Sequence, residues 1–300
     1  MEEKREKPSK NPFTGRLAFV GSGTMAEAMI KAVLRERLVT PDQIVASGPR
    51  PERGAELQQR YQVLPETDNV AAVRDADIVV LSVKPQVLPK VLPELHGQIK
   101  KDAVVVSIVA GAPIRMLQEG LGHRTVIRTM PNTPAQIGQG MTVWTATREV
   151  LPQQREWVES LLLAMGEAVY VDDEVMLDMA TAVSGTGPTY VFLMMEAMTD
   201  AAVHLGFSRR VALKLVEQTV LGSVLYARQS GLHLAELRNQ VTSPGGTSAD
   251  AIYQLEKGSL RTVLSKAIWA AYQKSRALGQ MKWPPEAPER QGSAGGGGGR

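Results

Sequence analysis

A doubly wound α/β sheet followed by an all-helical domain is the fold that this chain of 300 residues predicts. Three observations carry the prediction. From residue 16 to about 171, short apolar runs rich in β-branched residues alternate with amphipathic segments, the rhythm of repeated strand–helix units. Between the first such run and the first amphipathic segment stands Gly21-x-Gly23-x-x-Ala26. From about residue 173 to 279 the strand-like runs stop, and every segment carries its apolar residues at helical spacing.

Taken in order, residues 1–15 mix acids and bases around no apolar core, so a disordered N-terminal segment is expected, neither a secretory signal nor a transit peptide. A cytoplasmic location follows by default. Leu17-Ala18-Phe19-Val20 reads as a buried strand, and the helix after it places Ala26, Met29, Ile30, Val33 and Leu34 on one face. Further strands are expected at 44–46, 77–83, 103–109, 126–130 and 141–145. Their continuous apolar character suits parallel strands covered on both faces. This first domain spans 16–172. The second, 173–281, reads as helices over 175–182, 188–205, 209–229, 234–241, 247–255 and 260–278. In the third of these, Val211, Leu215, Val216, Val220 and Leu221 form one stripe behind an N-cap at Ser208. So many apolar stripes exceed what a lone bundle can cover, and the helical half is expected to form a subunit interface. The stretch 282–300, rich in Pro and then Gly, reads as a disordered tail whose last glycines look appended.

Composition removes several classes of function. With 43% hydrophobic residues the chain can bury one large or two ordinary cores. The net charge of +3 comes from basic residues interspersed with acids, without an aromatic–basic stripe, so no nucleic-acid partner is expected. No apolar run is long enough to cross a bilayer, so no membrane partner is expected either. The absence of cysteine excludes disulfides, thiolate metal sites and a catalytic thiol. His96, His123, His204 and His233 lack the spacing of paired ligands, so no metal is expected.

The glycine turn sits where a dinucleotide fingerprint must sit. Gly21 permits the tight turn, Gly23 lets a pyrophosphate approach the backbone, and small Ala26 lets helix and strand pack closely. The acidic residue that would hold a ribose 2′-hydroxyl at the end of the second strand is missing. Instead come Ser47-Gly48-Pro49-Arg50, with Arg53 beyond, offering a hydroxyl and one or two guanidinium groups to a 2′-phosphate. NADPH over NADH is the expectation. Val83-Lys84-Pro85 and Val109-Ala110-Gly111 end two further strands, where the carboxyl ends face the ligand crevice. Lys84 reads as a cofactor contact or as an acid. Met130-Pro131-Asn132 ends another strand, the prolines around Asn132 stiffening its loop. In the helical half, 181–190 must break the helical pattern, either as a plain connection or as a second loop around one ligand. Thr242-Ser243-Pro244-Gly245-Gly246-Thr247-Ser248 crowds hydroxyls and glycines in front of a helix. That end is either an ordinary cap or an anion site.

Together these strings resemble the pyrroline-5-carboxylate reductase family. The resemblance rests on Gly21-Ser22-Gly23-Thr24-Met25-Ala26, on Val83-Lys84-Pro85-Gln86, on 128–140 with its MPNTP, on Ser184-Gly185-Thr186-Gly187-Pro188-Thr189-Tyr190 and above all on Ser243-Pro244-Gly245-Gly246-Thr247. They stand in family order across about 16–279. The resemblance implies an α/β N-terminal Rossmann-type doubly wound sheet followed by an all-α C-terminal dimerisation domain, hence a homodimer, with larger rings such as a decamer. It implies reduction of the cyclic imine 1-pyrroline-5-carboxylate to L-proline, the last step of proline biosynthesis, with NADPH or NADH. The substrate is then held by Ser243, Gly245, Gly246, Thr247 and Ser248 with Ser184 and Gly185. Thr247 and Ser248 are the catalytic candidates. The cofactor set is Gly21, Gly23, Thr24, Met25, Ser47, Arg50, Asn69, Val83, Lys84, Pro85, Ala110, Gly111, Met130, Pro131 and Asn132. This chain departs from the family pattern at Thr186 and Thr189, where smaller residues are common, and at Ser248, where threonine is common. Two other readings stand beside this one: a β-hydroxyacid dehydrogenase-like enzyme using Lys84 as acid, and a non-catalytic NADP-binding regulator.

Overall fold

The computed structural model describes residues 13–279. Its chain divides into two units, Met1–Asp178 with Lys274–Arg300, and Met179–Gln273. In the first unit the elements run β1 (Leu17–Val20), α1 (Thr24–Arg35), β2 (Ile44–Ser47), α2 (Pro51–Tyr61), β3 (Leu64–Glu66), α3 (Asn69–Val73), β4 (Ile78–Leu81), α4 (Leu88–Leu95), β5 (Val104–Ser107), α5 (Ile114–Leu121), β6 (Val126–Met130), β7 (Gly140–Ala146), α6 (Pro152–Leu163) and β8 (Gly166–Tyr170). The strands form one sheet in the order β3-β2-β1-β4-β5-β6-β7-β8. Growth of the sheet changes direction at β1, between β2 and β4, the switch point beside which open α/β sheets bind their ligands.

Alternation along each strand feeds two cores. Leu17 and Phe19 of β1 and Ile78 and Val80 of β4 join Met29, Ile30 and Val33 of α1 and Leu161 and Leu162 of α6 on one face. Ala18, Val20, Val79 and Leu81 join Leu92 and Leu95 of α4 and Leu117 and Leu121 of α5 on the other. Each large side chain so buried contributes about 1.5–3 kcal/mol. Both faces being covered explains the uninterrupted apolar runs of the central strands.

Three features differ from the sequence expectation. β7 runs antiparallel to β6, not parallel, because residues 131–139 are too short for a parallel crossover, which takes about a dozen residues or more. β3 and β8, at the two edges, carry no continuous apolar run and were not expected; β3 is three residues long and includes Pro65, which an edge strand tolerates. Phe13 to Gly15, expected in the disordered N-terminal segment, are anchored. Phe13 packs edge-on against Trp157 with ring centroids 5.2 Å apart, and Gln43 Nε2 donates to the carbonyls of Phe13 and Gly15 at 3.2 and 2.9 Å. The expectations for 1–12 and 282–300 lie outside the described residues.

From Val175 on, the chain is helical, the second unit beginning at Met179 within the first of these helices. α7 (Val175–Ala180) leads into a π-helical turn, Thr181–Gly185, and then come α8 (Gly187–His204), α9 (Arg209–Ser230), α10 (Leu234–Gln240), α11 (Thr247–Lys257) and α12 (Leu260–Gly279), whose final residues from Lys274 belong to the first unit. The core of the second unit is thin. α9 buries Ala212 and Val216, whereas Phe192, Leu193, Leu205 and Trp269 are 61%, 65%, 82% and 61% exposed. Apolar surface on that scale marks an interaction face. Among the described residues no helix is long and apolar enough to cross a membrane.

Candidate active site

The candidate dinucleotide turn is built where β1 meets α1. Gly21 has φ +103°, and a Cβ there would lie 2.8 Å from Ser82 C and Val83 N, so only glycine fits between the two strand ends. Its amide donates to Ser47 O at 3.0 Å, and Ser82 Oγ donates to Gly21 O at 2.7 Å. Gly23 is the N-cap of α1 and has no side-chain cap, while a Cβ on it would meet nothing within 4 Å. The turn therefore presents the first amides of α1, at Thr24 and Met25, to open space, a cradle with the shape and polarity a pyrophosphate needs. Ala26 is fully buried beneath it.

The expected cofactor residues differ in exposure. Arg50, at the N-cap of α2, is exposed, as is Lys84. Val83, Pro85, Ala110, Met130 and Asn132 are half-buried at the strand ends, and Gly111 is buried under Leu278, with room for no Cβ. Ser47 has a different task from the one expected. It is fully buried, and its hydroxyl bonds Phe19 O at 3.2 Å and Asn69 Oδ1 at 2.7 Å. It therefore orients Asn69, whose Nδ2 donates to Glu94 at 3.0 Å, instead of reaching outward to a phosphate. Pro131 is buried, and Asn132 Oδ1 accepts from the Met141 amide at 2.9 Å, pinning the loop to β7.

Arg53 is also turned inward. Its guanidinium bonds Glu27, Glu56 and the carbonyl of Ser22. Burial alone would push the Glu27 carboxyl up, but the hydrogen bonds from Arg53, Tyr61 and Arg60 outweigh it and hold the group below its ordinary range. The Glu27 hydrogen bond in turn raises Arg53 further.

One cluster escaped the sequence reading. Arg128, on β6, is 4% exposed and donates to Glu174 at 2.8 Å and to Asp178 at 3.2 Å. Glu174 also accepts from the Ile114 amide at 2.8 Å, and Asp178 from Ser275 Oγ at 2.9 Å. The only sequence signal is a lone arginine in an otherwise apolar strand.

A separate candidate region lies on the helical unit. Gly245 has φ +68°, and the Gly246 amide closes a turn onto Ser243 O at 3.0 Å. The N-cap of α11 is Gly246, and no side chain caps it. Ser243, Thr247 and Ser248, all candidates for an ordinary cap, leave the helix end open. The break expected at 181–190 falls at Thr186, the N-cap of α8, with Pro188 in the first turn of that helix; leading into it is a π-helical turn, Thr181–Gly185. Its carbonyls are claimed by hydroxyls: Ser184 Oγ donates to Ala180 O at 3.0 Å, Thr186 Oγ1 to Thr181 O at 2.8 Å and Tyr190 OH to Ala182 O at 3.0 Å. Ser184 is thus engaged in shaping the turn, beside Gly185. Such single π turns occur often at functional sites.

Known proteins place this geometry. Residues 174–278 match the family model for pyrroline-5-carboxylate reductase dimerisation, and residues 16–111 match that for NADP oxidoreductase, coenzyme F420-dependent. The pyrroline-5-carboxylate reductase of Pseudomonas aeruginosa is 43% identical over 269 residues, covering 89% of this chain and 98% of that protein. That of Synechocystis is 39% identical over 265 residues, covering 88% and 98%. The crystal structure of Plasmodium falciparum pyrroline carboxylate reductase with NADP bound superposes with a TM-score of 0.82 at 30% identity, covering 89% of this chain and 98% of that one. On sequence and fold alike, the chain belongs to the pyrroline-5-carboxylate reductase family.

Proposed function

We propose that this protein reduces 1-pyrroline-5-carboxylate to L-proline with NADPH as donor, and that the observation carrying the substrate assignment is the open, uncapped N-terminus of α11 at Gly246. A carboxylate at that end accepts from the amides of Gly246, Thr247 and Ser248 and meets the positive end of the helix dipole. The reduced dinucleotide, when bound, supplies the hydride that adds to the imine carbon. The chain's own residues bind and orient. The cradle at Gly23 with Thr24 and Met25 takes the pyrophosphate, Asn69 stands near the adenosine ribose, and Met130 to Asn132 form the nicotinamide-side loop, with Val83, Lys84, Pro85, Ala110 and Gly111 at the neighbouring strand ends. A protonated imine is already electrophilic, so no strong acid is demanded, and the Ser248 hydroxyl hydrogen-bonds the ring nitrogen. Ser184 and Gly185 shape the second loop around the substrate.

The helical half serves homo-oligomerisation, and we extend this to a homodimer through that half, assembled into a larger ring such as a decamer in the cytoplasm. Following NADPH oxidation with pyrroline-5-carboxylate, with NADH beside it, tests reaction and cofactor together. Proline formation faster with NADPH is expected. Activity on hydroxy acids but not on the imine would hand the site to the Lys84 reading, and binding without turnover would leave a regulator. Ser248→Ala should lower kcat while leaving the affinity for NADPH as it was. Unaltered kinetics would remove Ser248 from the mechanism.

A further inference from the structure

Two arginines stand at the start of α2, Arg50 at its N-cap and Arg53 in its first turn, and their surroundings separate their tasks. Arg50 is exposed. Arg53 has a side chain 15% exposed, and each of its three nitrogens has a partner on the protein. Nε donates to Ser22 O at 3.0 Å, Nη1 to Glu56 at 2.6 Å and Nη2 to Glu27. Ser22 is the residue between the two glycines of the turn. Because a peptide unit is planar and trans, the Ser22 carbonyl and the Gly23 N–H point in opposite directions. Drawing that carbonyl onto Arg53 therefore aims the Gly23 N–H the other way. Glu27 lies in the first turn of α1, the end that would receive the pyrophosphate. Arg53, Arg60 Nη1 at 3.1 Å and Tyr61 OH at 2.9 Å together engage a carboxylate that would otherwise repel the phosphates.

We infer that Arg53 is a positioning residue for the pyrophosphate turn, through the Ser22 carbonyl and Glu27, and that it takes no part in recognising the 2′-phosphate, which falls to Arg50. The inference rests on the dinucleotide-binding part of the proposed function and not on the identity of the substrate. It makes a distinction between cofactors, because NADPH and NADH share the pyrophosphate and differ only in the 2′-phosphate.

The test is direct binding of NADPH and of NADH to the full chain, followed by tryptophan fluorescence, for the wild type, Arg53→Gln and Arg50→Gln. Losing charge-assisted hydrogen bonds at the turn should weaken both dinucleotides by about tenfold in Arg53→Gln, the ratio of the two dissociation constants staying as in the wild type. Arg50→Gln should weaken NADPH alone. A selective loss of NADPH in Arg53→Gln would make Arg53 a phosphate ligand and overturn the inference, and so would unchanged binding of both. Should Arg53→Gln unfold, Arg53→Lys is read by the same ratio, since lysine keeps the charge beside Glu27 but cannot bond Ser22 O and both carboxylates together. Wild-type protein that binds NADPH without reducing the imine would sink the proposed activity alone, while binding of neither dinucleotide would sink both.

Discussion

Replacing Arg128 by methionine keeps most of the side-chain volume and removes the charge that Glu174 and Asp178 share. Breaking a buried ion pair from one side costs about 3–5 kcal/mol, because the remaining charge is left without compensation. Two features of the cluster pull the figure to the lower end. The Glu174 and Asp178 side chains are 32% and 18% exposed, so water takes up part of the released charge. Each also keeps a second donor, the Ile114 amide and Ser275 Oγ. A loss of about 3 kcal/mol is therefore expected, which lowers the unfolding temperature by roughly 6–12 °C for a chain of this size. Calorimetry at fixed protomer concentration measures it, since association shifts the midpoint. Arg128 lies two residues before Met130, so the KM for NADPH should rise as well. Adding Glu174→Gln and Asp178→Asn to the methionine variant removes the orphaned charges and should restore part of the stability, a coupling that neighbours show and distant sites do not. A fall of less than about 3 °C, with kinetics intact, would mean that the cluster contributes under about 1 kcal/mol and refute the reasoning.

Gly21→Ala places a Cβ against the backbone of Ser82 and Val83 at φ +103°; strain of about 1–3 kcal/mol and loss of NADPH binding are expected, and a titration matching wild type would contradict the packing argument. The Glu27 carboxyl is pushed up by burial and pulled down further by Arg53, Tyr61 and Arg60, ending below its ordinary 4.5. A depressed carboxyl contributes stability that is complete above its unfolded value and is lost as the pH falls through the folded one, so Glu27→Gln should lose less stability than wild type as the pH falls below the ordinary 4.5. Parallel acid limbs in the two proteins would show that Glu27 has no such share. Phe192→Asp puts a charge on an apolar face of α8, and sedimentation velocity should find a smaller species; an unaltered mass would take Phe192 off the subunit interface.

The elements legible in the sequence are those whose causes are local. β1, β2, β4, β5 and β6 announce themselves because burial on both faces demands an unbroken apolar run, and Gly21 because a left-handed turn between two strand ends admits little else. β3 and β8 went unseen since an edge strand needs no such run. The end of α11 could be stated from the sequence only as a choice between cap and anion site; in the structure Gly246 holds the N-cap and no side chain closes it. The roles of Arg53 and Arg128 were out of reach for another reason. Apart from Glu56, three residues beyond Arg53 on α2, their carboxylate partners stand 26 residues before Arg53 and 46 and 50 residues after Arg128, and no pattern of spacing encodes a pairing made by tertiary folding. The break at 181–190 was legible because glycine and proline interrupt helices, and Pro188 does stand in the first turn of α8; the widened turn before it was not, because it is held by hydroxyls of Ser184, Thr186 and Tyr190.

The reversal of β7 constrains how this enzyme can evolve. Pro131 and Asn132 lie in the link of an antiparallel pair that opens at Met130, so the link's length and the pairing register are tied together. In that register Thr129 stands opposite Trp144, which is 1% exposed in the core. A single residue inserted between 131 and 139 either bulges out locally or slides β7 by one step, and the slide turns Trp144 to the opposite face and breaks its pairing with β8 as well. Loops in α/β folds ordinarily absorb insertions. Here the length of the link is coupled to the position of a buried tryptophan twelve residues beyond Asn132, and an insertion keeps that position only where it bulges out.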